Sequence, residues 1–154
     1  MKRLVHQRTL IIVTMRAEMP DDSGNQLIKD NAITIAWHTP LSFNPELYGI
    51  AVAYDRYSYK MLKKAGSFVV NFVPESMGDV AMECGMLSGS DTDKFAELEL
   101  KTQEAETVEA FRLTDAVGWL ECEIISESEA GDHAFLIGKV KKVDAIEKAK
   151  FCIR

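Results

Sequence analysis

Apolar residues in this chain come in short blocks, and the period of each block sorts it into strand or helix. Thr9 to Met15 is apolar and β-branched, the composition of a strand. Ala17 to Asp30 is polar and carries Pro20-Asp21-Asp22-Ser23-Gly24-Asn25, turn residues that predict a loop. Asn31 to Trp37 alternates like a second strand, and Thr39-Pro40 and Asn44-Pro45 then predict an extended connection. Leu47 to Tyr54 is nearly all apolar, as expected of a central strand covered on both faces.

The helical signals are more local. Asp55 suits an N-cap and Gly66 suits the residue just past a helix end. Between them Ser58, Met61, Leu62 and Ala65 share one face, and Lys63 and Lys64 complement the dipole of the last turn. Ser67 to Val73 is the next strand. Pro74 opens a second helix with Met77, Val80, Ala81 and Cys84 on one face and Gly85 closing it. A Gly/Ser-rich loop, Gly85 to Ser90, leads to a short helical turn over Asp91 to Leu98. Two long strands follow, Trp119 to Ser126 and His133 to Val143, joined by a hairpin loop, Glu129-Ala130-Gly131-Asp132. This many strands with a few short helices predicts a mainly β fold, a barrel with helical covers. The alternation is too irregular for a doubly wound sheet, and no Gly-x-Gly-x-x-Gly follows a strand.

Composition narrows the function classes. The 154 residues fit a single domain, residues 1–154, with no internal repeat or linker. A formal net charge of −6 without a basic stripe argues against a nucleic-acid partner. No apolar run nears the ~20 residues of a membrane span, and Leu10 to Val13 is too short for a signal peptide. Cys84, Cys122 and Cys152, odd in number and far apart, suit a reducing cytoplasm, each expected as a small buried apolar residue. His6, His38 and His133 lack metal-ligand spacing, so no metal site is expected.

One site candidate emerges from the residues alone. The helix entered at Asp55 offers free backbone amides, and Arg56 and Ser58 add a positive charge and a hydroxyl donor, together enough to hold a phosphate. An ordinary capped helix with a solvated Arg is the commoner reading, and the Asp55 carboxylate competes for the same amides. The Gly85–Ser90 loop lacks the Gly-Lys-Ser/Thr ending of a P-loop. Tyr54, Tyr57 and Tyr59 could stack a flat ring or simply pack.

The segment Asn-Ala-Ile-Thr-Ile-Ala-Trp-His-Thr-Pro-Leu-Ser-Phe-Asn-Pro (31–45) resembles the signature of flavin reductase-like, FMN-binding split-barrel proteins. Val52 to Tyr59, Gly66 to Asn71, Ser88 to Phe95, Leu120 to Cys122 and Glu129 to His133 follow in that family's order, spanning about residues 9–143. The resemblance implies a split β-barrel and a homodimer with FMN at the interface. It implies that Thr34, Ile35, Ala36 and Trp37 present amides and a hydroxyl to the flavin, and that Ala51, Val52, Ala53 and Tyr54 line it. Arg56, Ser58 and Tyr59 would hold the phosphate. Asn71 and Phe72 would touch the ring or ribityl chain, Lys94 would approach from the neighbouring loop, and His133 would face a nicotinamide. The chain ends soon after the last strand, where longer relatives carry covering elements, so an open site is expected.

The activity so implied is an NAD(P)H-dependent flavin reductase in the cytoplasm, passing electrons from NADH or NADPH through FMN to an acceptor the sequence does not name. The alternatives are a flavoredoxin-like electron carrier reduced by a partner protein and a flavin-binding module without redox activity.

Overall fold

The computed structural model describes residues 8–146. His6 and Cys152, both weighed above, lie outside the described residues. Among the described residues there are nine strands and three short α-helices. Seven of the strands form one antiparallel sheet in the order β2-β1-β5-β8-β9-β4-β3. These are β1 (Ile11–Pro20), β2 (Gln26–Ile35), β3 (His38–Phe43), β4 (Glu46–Ala53), β5 (Ser67–Phe72), β8 (Gly118–Ala130) and β9 (His133–Ala145). A small two-stranded ribbon pairs β6 (Thr102–Glu104) with β7 (Phe111–Leu113). The large sheet curls without closing, which is the split barrel.

Alternation along the strands splits the core in two. Ile11, Val13 and Met15 of β1 point inside the barrel with Ile33, Ile35, Ile50, Phe68 and Leu136. Leu10, Ile12 and Ala32 point outward and are covered by Ala81 and Cys84 of a helix, together with Leu113. Covering on both faces is why β1 is so uniformly apolar, and each such fully buried side chain contributes about 1.5–3 kcal/mol.

Helix α1 (Tyr57–Ala65) buries Ser58, Met61 and Leu62 and ends at Gly66, whose φ of 69° is the left-handed conformation glycine adopts without strain. Its N-cap is Arg56 and not Asp55: the chain turns at Tyr54 and Asp55 after β4, so the helix starts later than expected and no side chain caps it. Helix α2 (Gly78–Met86), entered through a 3₁₀ turn at Glu75–Met77, runs one residue past Gly85. Helix α3 (Lys94–Glu97) is capped by Asp93, whose carboxylate accepts from the Phe95 and Ala96 amides.

Three connections differ from expectation. Ala17–Asp30 is not a loop, because β1 and β2 continue as a hairpin with only residues 21–25 turning. The turn chemistry is as expected, with Asp21 accepting from the Ser23 and Asn25 amides at 2.9 and 2.8 Å. On the β1 side Ala17 and Met19 are buried and alternate with exposed Glu18 and Pro20, while Gln26 to Ile28 of β2 are all exposed. The Thr39–Pro45 stretch is not a mere connection, since β3 pairs with β4 around a shift between Pro40 and Ser42, an edge position that tolerates proline. The loop between β8 and β9 shrinks from four residues to Gly131 and Asp132, with Ala130 paired to His133 and Gly131 at φ 65°. Cys84 and Cys122 are both buried, as expected. No helix among the described residues is long and apolar enough to cross a membrane.

Candidate functional site

The opening of the barrel is a groove of about 350 Å³. The end of β2 supplies Thr34 and Ile35 on one wall, and the link to β3 supplies Ala36 and Trp37. Ala51, Val52 and Ala53 at the end of β4 form the facing wall. Backbone bonds lock these walls, from Ala51 N to the Trp37 carbonyl (2.9 Å) and from Tyr54 N to the Asp132 carbonyl (3.2 Å). Ladder pairing sets His133 opposite Ala53, so the two-residue turn carries the imidazole to the rim of the groove. There its ring sits 4.8 Å from that of Trp37, and Asp132 Oδ1 lies 2.6 Å from Nδ1. The hydrogen bond with His133 holds the Asp132 carboxyl below its ordinary range.

Arg56 lines this groove and also a second, smaller hollow of about 210 Å³, which continues it past the start of α1. Ser58, Ser88, Gly89 and Lys94 also line that hollow, and the Asp55 carboxylate lines both. Lys94 is 3% exposed and donates to the Ala32 and Cys84 carbonyls at 2.7 and 2.8 Å. It forms no ion pair among the described residues. Burial, and to a lesser degree Arg56, push its ammonium below the ordinary lysine range. A cation held in this way gains from an anion beside it. Ser58 is 3% exposed, and its Oγ accepts from Asn31 Nδ2 at 3.1 Å, so its own proton is free to turn toward the hollow. Two cations, a hydroxyl and the N-terminus of α1 thus converge on one pocket suited to phosphate.

Thr34, Ile35, Ala36, Trp37, Ala51, Val52, Ala53, Arg56, Ser58, Lys94 and His133 are therefore gathered in two joined hollows. Tyr54, Tyr59, Asn71 and Phe72 are placed elsewhere. Tyr59 directs its hydroxyl to Glu127 Oε1 on β8 (2.6 Å) and packs edge-on against Tyr54 at 5.1 Å. Asn71 is fully buried and ties strands together, donating to the Ile12 carbonyl (2.9 Å) and accepting from Leu113 N (2.8 Å). Phe72 meets Tyr48 edge-on at 6.1 Å. Sequence reasoning did not single out Asn31, which positions Ser58, whereas Gly85 and Ser88, which line the hollows, belong to the Gly/Ser-rich loop weighed from the sequence. A buried asparagine two residues from the groove has no signal of its own in a strand-like run.

Comparison with known proteins places the chain in context. Residues 1–152 match the flavin reductase like domain. A protein of Archaeoglobus fulgidus named only as uncharacterized is 36% identical over 79% of this chain and 71% of its own length. A flavin reductase of Pseudomonas putida is 28% identical over 75% of this chain and 64% of its own length. Among solved structures, an FMN-binding protein of Thermus thermophilus superposes with a TM-score of 0.81 at 25% identity, covering 94% of this chain and 74% of that one.

Proposed function

The chain belongs to the flavin reductase-like family, and from that premise we propose that it is an FMN-dependent oxidoreductase that draws electrons from NADH or NADPH and passes them to an acceptor. The observation that carries this reading is the continuity of two hollows through Arg56, one walled by backbone and small side chains, the other by buried cations. A flat, partly polar ring suits the first and a phosphate suits the second. The fit rests on Lys94, a buried ammonium bonded only to carbonyl oxygens, and on a helix N-terminus that no side chain caps. Bound FMN supplies the two-electron chemistry, as hydride acceptor and electron donor.

The chain's own residues bind and orient. Arg56, Ser58 and Lys94 neutralise and hold the phosphate. The Thr34–Trp37 segment and the Ala51–Ala53 wall fix the ring by shape and backbone polarity, and the small alanines leave it room. Asp132 holds Nδ1 of His133, which leaves Nε2 for a donor at the rim. His133 orients the nicotinamide and exchanges no proton in the hydride step. Two copies pair, with Trp37 of the groove wall and Leu41 and Phe43 of the adjoining β3 as exposed apolar residues.

The test is an anaerobic titration of the FMN-loaded protein with NADH and then NADPH, followed by the flavin absorbance. Bleaching by either supports the reductase. A flavoprotein indifferent to both is reduced by a partner protein instead. Alanine at Arg56 and Ser58 together is expected to weaken FMN binding by about a hundredfold or more, since charge-assisted bonds contribute ~1.5–3 kcal/mol each. Unchanged flavin content in that variant removes the phosphate assignment.

A further inference from the structure

Asn31 is a polar residue on an apolar face. It lies on β2 in line with Ile33 and Ile35, opposite Met15 of β1, on the side that faces the barrel interior, and it is 2% exposed. An aliphatic side chain would suit that position, and a buried amide is costly there unless its polar atoms are met. One end is met and the other is not. Nδ2 donates to Ser58 Oγ at 3.1 Å, whereas Oδ1 is buried with no hydrogen-bond partner among the described residues. Gly89 packs directly on the amide, where a Cβ would lie 2.3 Å from Oδ1, so any larger residue in that loop would displace it.

The bond to Ser58 determines what that serine can do. Ser58 is the second residue of α1 and is 3% exposed. A serine in a helix commonly returns its proton to a carbonyl of the turn before. Among the described residues Ser58 donates to none, and its one bond is the bond it accepts. Asn31 presents an N–H, so the serine oxygen is the acceptor and its proton is left for the hollow that Ser58 lines with Arg56 and Lys94. The opposite turn of the amide would take up that proton and leave Nδ2 unmet, so neither turn satisfies Asn31 by itself. An anion in the hollow decides between them. Only with the serine proton turned to a phosphate oxygen does Oγ need the donor that Nδ2 supplies. The next residue of β2 treats the second donor in the same way, the Ala32 carbonyl holding the Lys94 ammonium at 2.7 Å.

We propose that Asn31 is a positioning residue that makes the pocket selective for a phosphorylated flavin, by holding Ser58 as a donor toward the phosphate. The proposal rests on the flavin reading above and deepens its phosphate pocket. Asn31 lines neither hollow, so it acts on the ligand through Ser58 and not by touching it.

The full chain is titrated with FMN and with riboflavin, the same ring and ribityl chain without the phosphate, by quenching of flavin fluorescence. This reads binding independently of turnover. The unaltered protein is expected to bind FMN at least about a hundredfold more tightly than riboflavin. Asn31→Leu, close in volume and suited to the apolar face, is expected to weaken FMN by about tenfold and riboflavin by less than about twofold, and Ser58→Ala to do the same. The double variant is expected to match Ser58→Ala alone to within about twofold, because Asn31 acts through the serine. Gly89→Ala pushes the amide aside from the loop without altering β2. It is expected to show the same selective loss of FMN, and it gives the reading if Asn31→Leu does not fold. Asn31→Leu or Gly89→Ala shifting FMN and riboflavin alike overturns the proposal. So does a double variant weakened by the product of the single effects, which would make Asn31 a purely structural residue. Equal binding of FMN and riboflavin by the unaltered protein overturns the parent phosphate pocket as well, and binding of neither overturns the flavin reading itself.

Discussion

His38 shows how a polar side chain near the groove is kept neutral. Its Nε2 lies 2.7 Å from the Thr9 carbonyl, which can only accept, so this nitrogen carries the proton. Nδ1 then accepts from the Tyr48 hydroxyl at 2.7 Å. Burial pushes the imidazole below its ordinary range, with the Thr9 bond opposing it, and pushes the Tyr48 hydroxyl up to about 12. The unfolded chain thus takes up a proton from the ordinary imidazole pKa of ~6.5 downward, before the folded chain does. Stability from this residue is full above ~6.5 and is lost as pH falls from there toward the lower folded value. Urea midpoints are expected to fall between about pH 6.5 and 5, and His38→Gln is expected to flatten that slope. An equal slope in the variant assigns the effect to other groups.

At the scale of elements, the ribbon β6–β7 is fastened to the barrel by a buried ion pair. Glu121 of β8 is fully buried and accepts from the Glu106 and Thr107 amides at 2.7 and 2.8 Å and from Arg112 Nε at 2.8 Å. Burial raises its pKa, but these bonds together with that from the Thr107 hydroxyl outweigh burial and hold it below the ordinary carboxylate range. Arg112 also reaches Asp144 on β9 at 2.6 Å. Arg112→Met is expected to destabilise the fold by about 3–5 kcal/mol in denaturant unfolding, because Glu121 is left charged and unpaired. Removing both partners, as Arg112→Met with Glu121→Leu, is expected to cost less than the single change. A double variant as damaged as the sum of the singles refutes the pairing argument. None of this was visible in the linear order: β6 and β7 are three residues each, too short to show a period, and their anchoring depends on a carboxylate in a strand that follows both.

At the scale of the whole molecule, the apolar residues left outside the core matter most. Phe43 is fully exposed at the β3–β4 hairpin, with Leu41 and Trp37 about 40% exposed on the same segment. Exposed apolar groups of this size are costly unless covered, and in the proposed dimer a second copy would cover them while adding a wall to the site. Phe43→Glu is expected to shift the protein from dimer to monomer in sedimentation velocity and to weaken FMN binding in parallel. A variant that stays dimeric places the interface elsewhere.

The local chemistry of the chain determined much of this. Apolar alternation marked the strands that line the groove, Gly66 and the Ser58–Ala65 face marked α1, and Gly131-Asp132 marked the turn that carries His133. These features were legible because each depends on residues within one turn or one strand of each other. The fold class and most of the groove residues followed from the order of the motif blocks. Tertiary structure alone decided which way the ambiguous side chains face. Tyr59 could have met a phosphate, but α1 packs so that its hydroxyl reaches Glu127, 68 residues away. Asn71 could have met a cofactor, but its register opposite Ile12 turns it into the outer core. The length of the β1–β2 hairpin was likewise hidden, because the turn residues Pro20 to Asn25 outweigh the short alternation of Met15, Ala17 and Met19, and Gln26 to Ile28 of β2 are all exposed. Lys94 is the clearest case: its sequence neighbours describe a solvated lysine, and only the meeting of β2, α2 and α3 makes it a buried cation at the centre of the site.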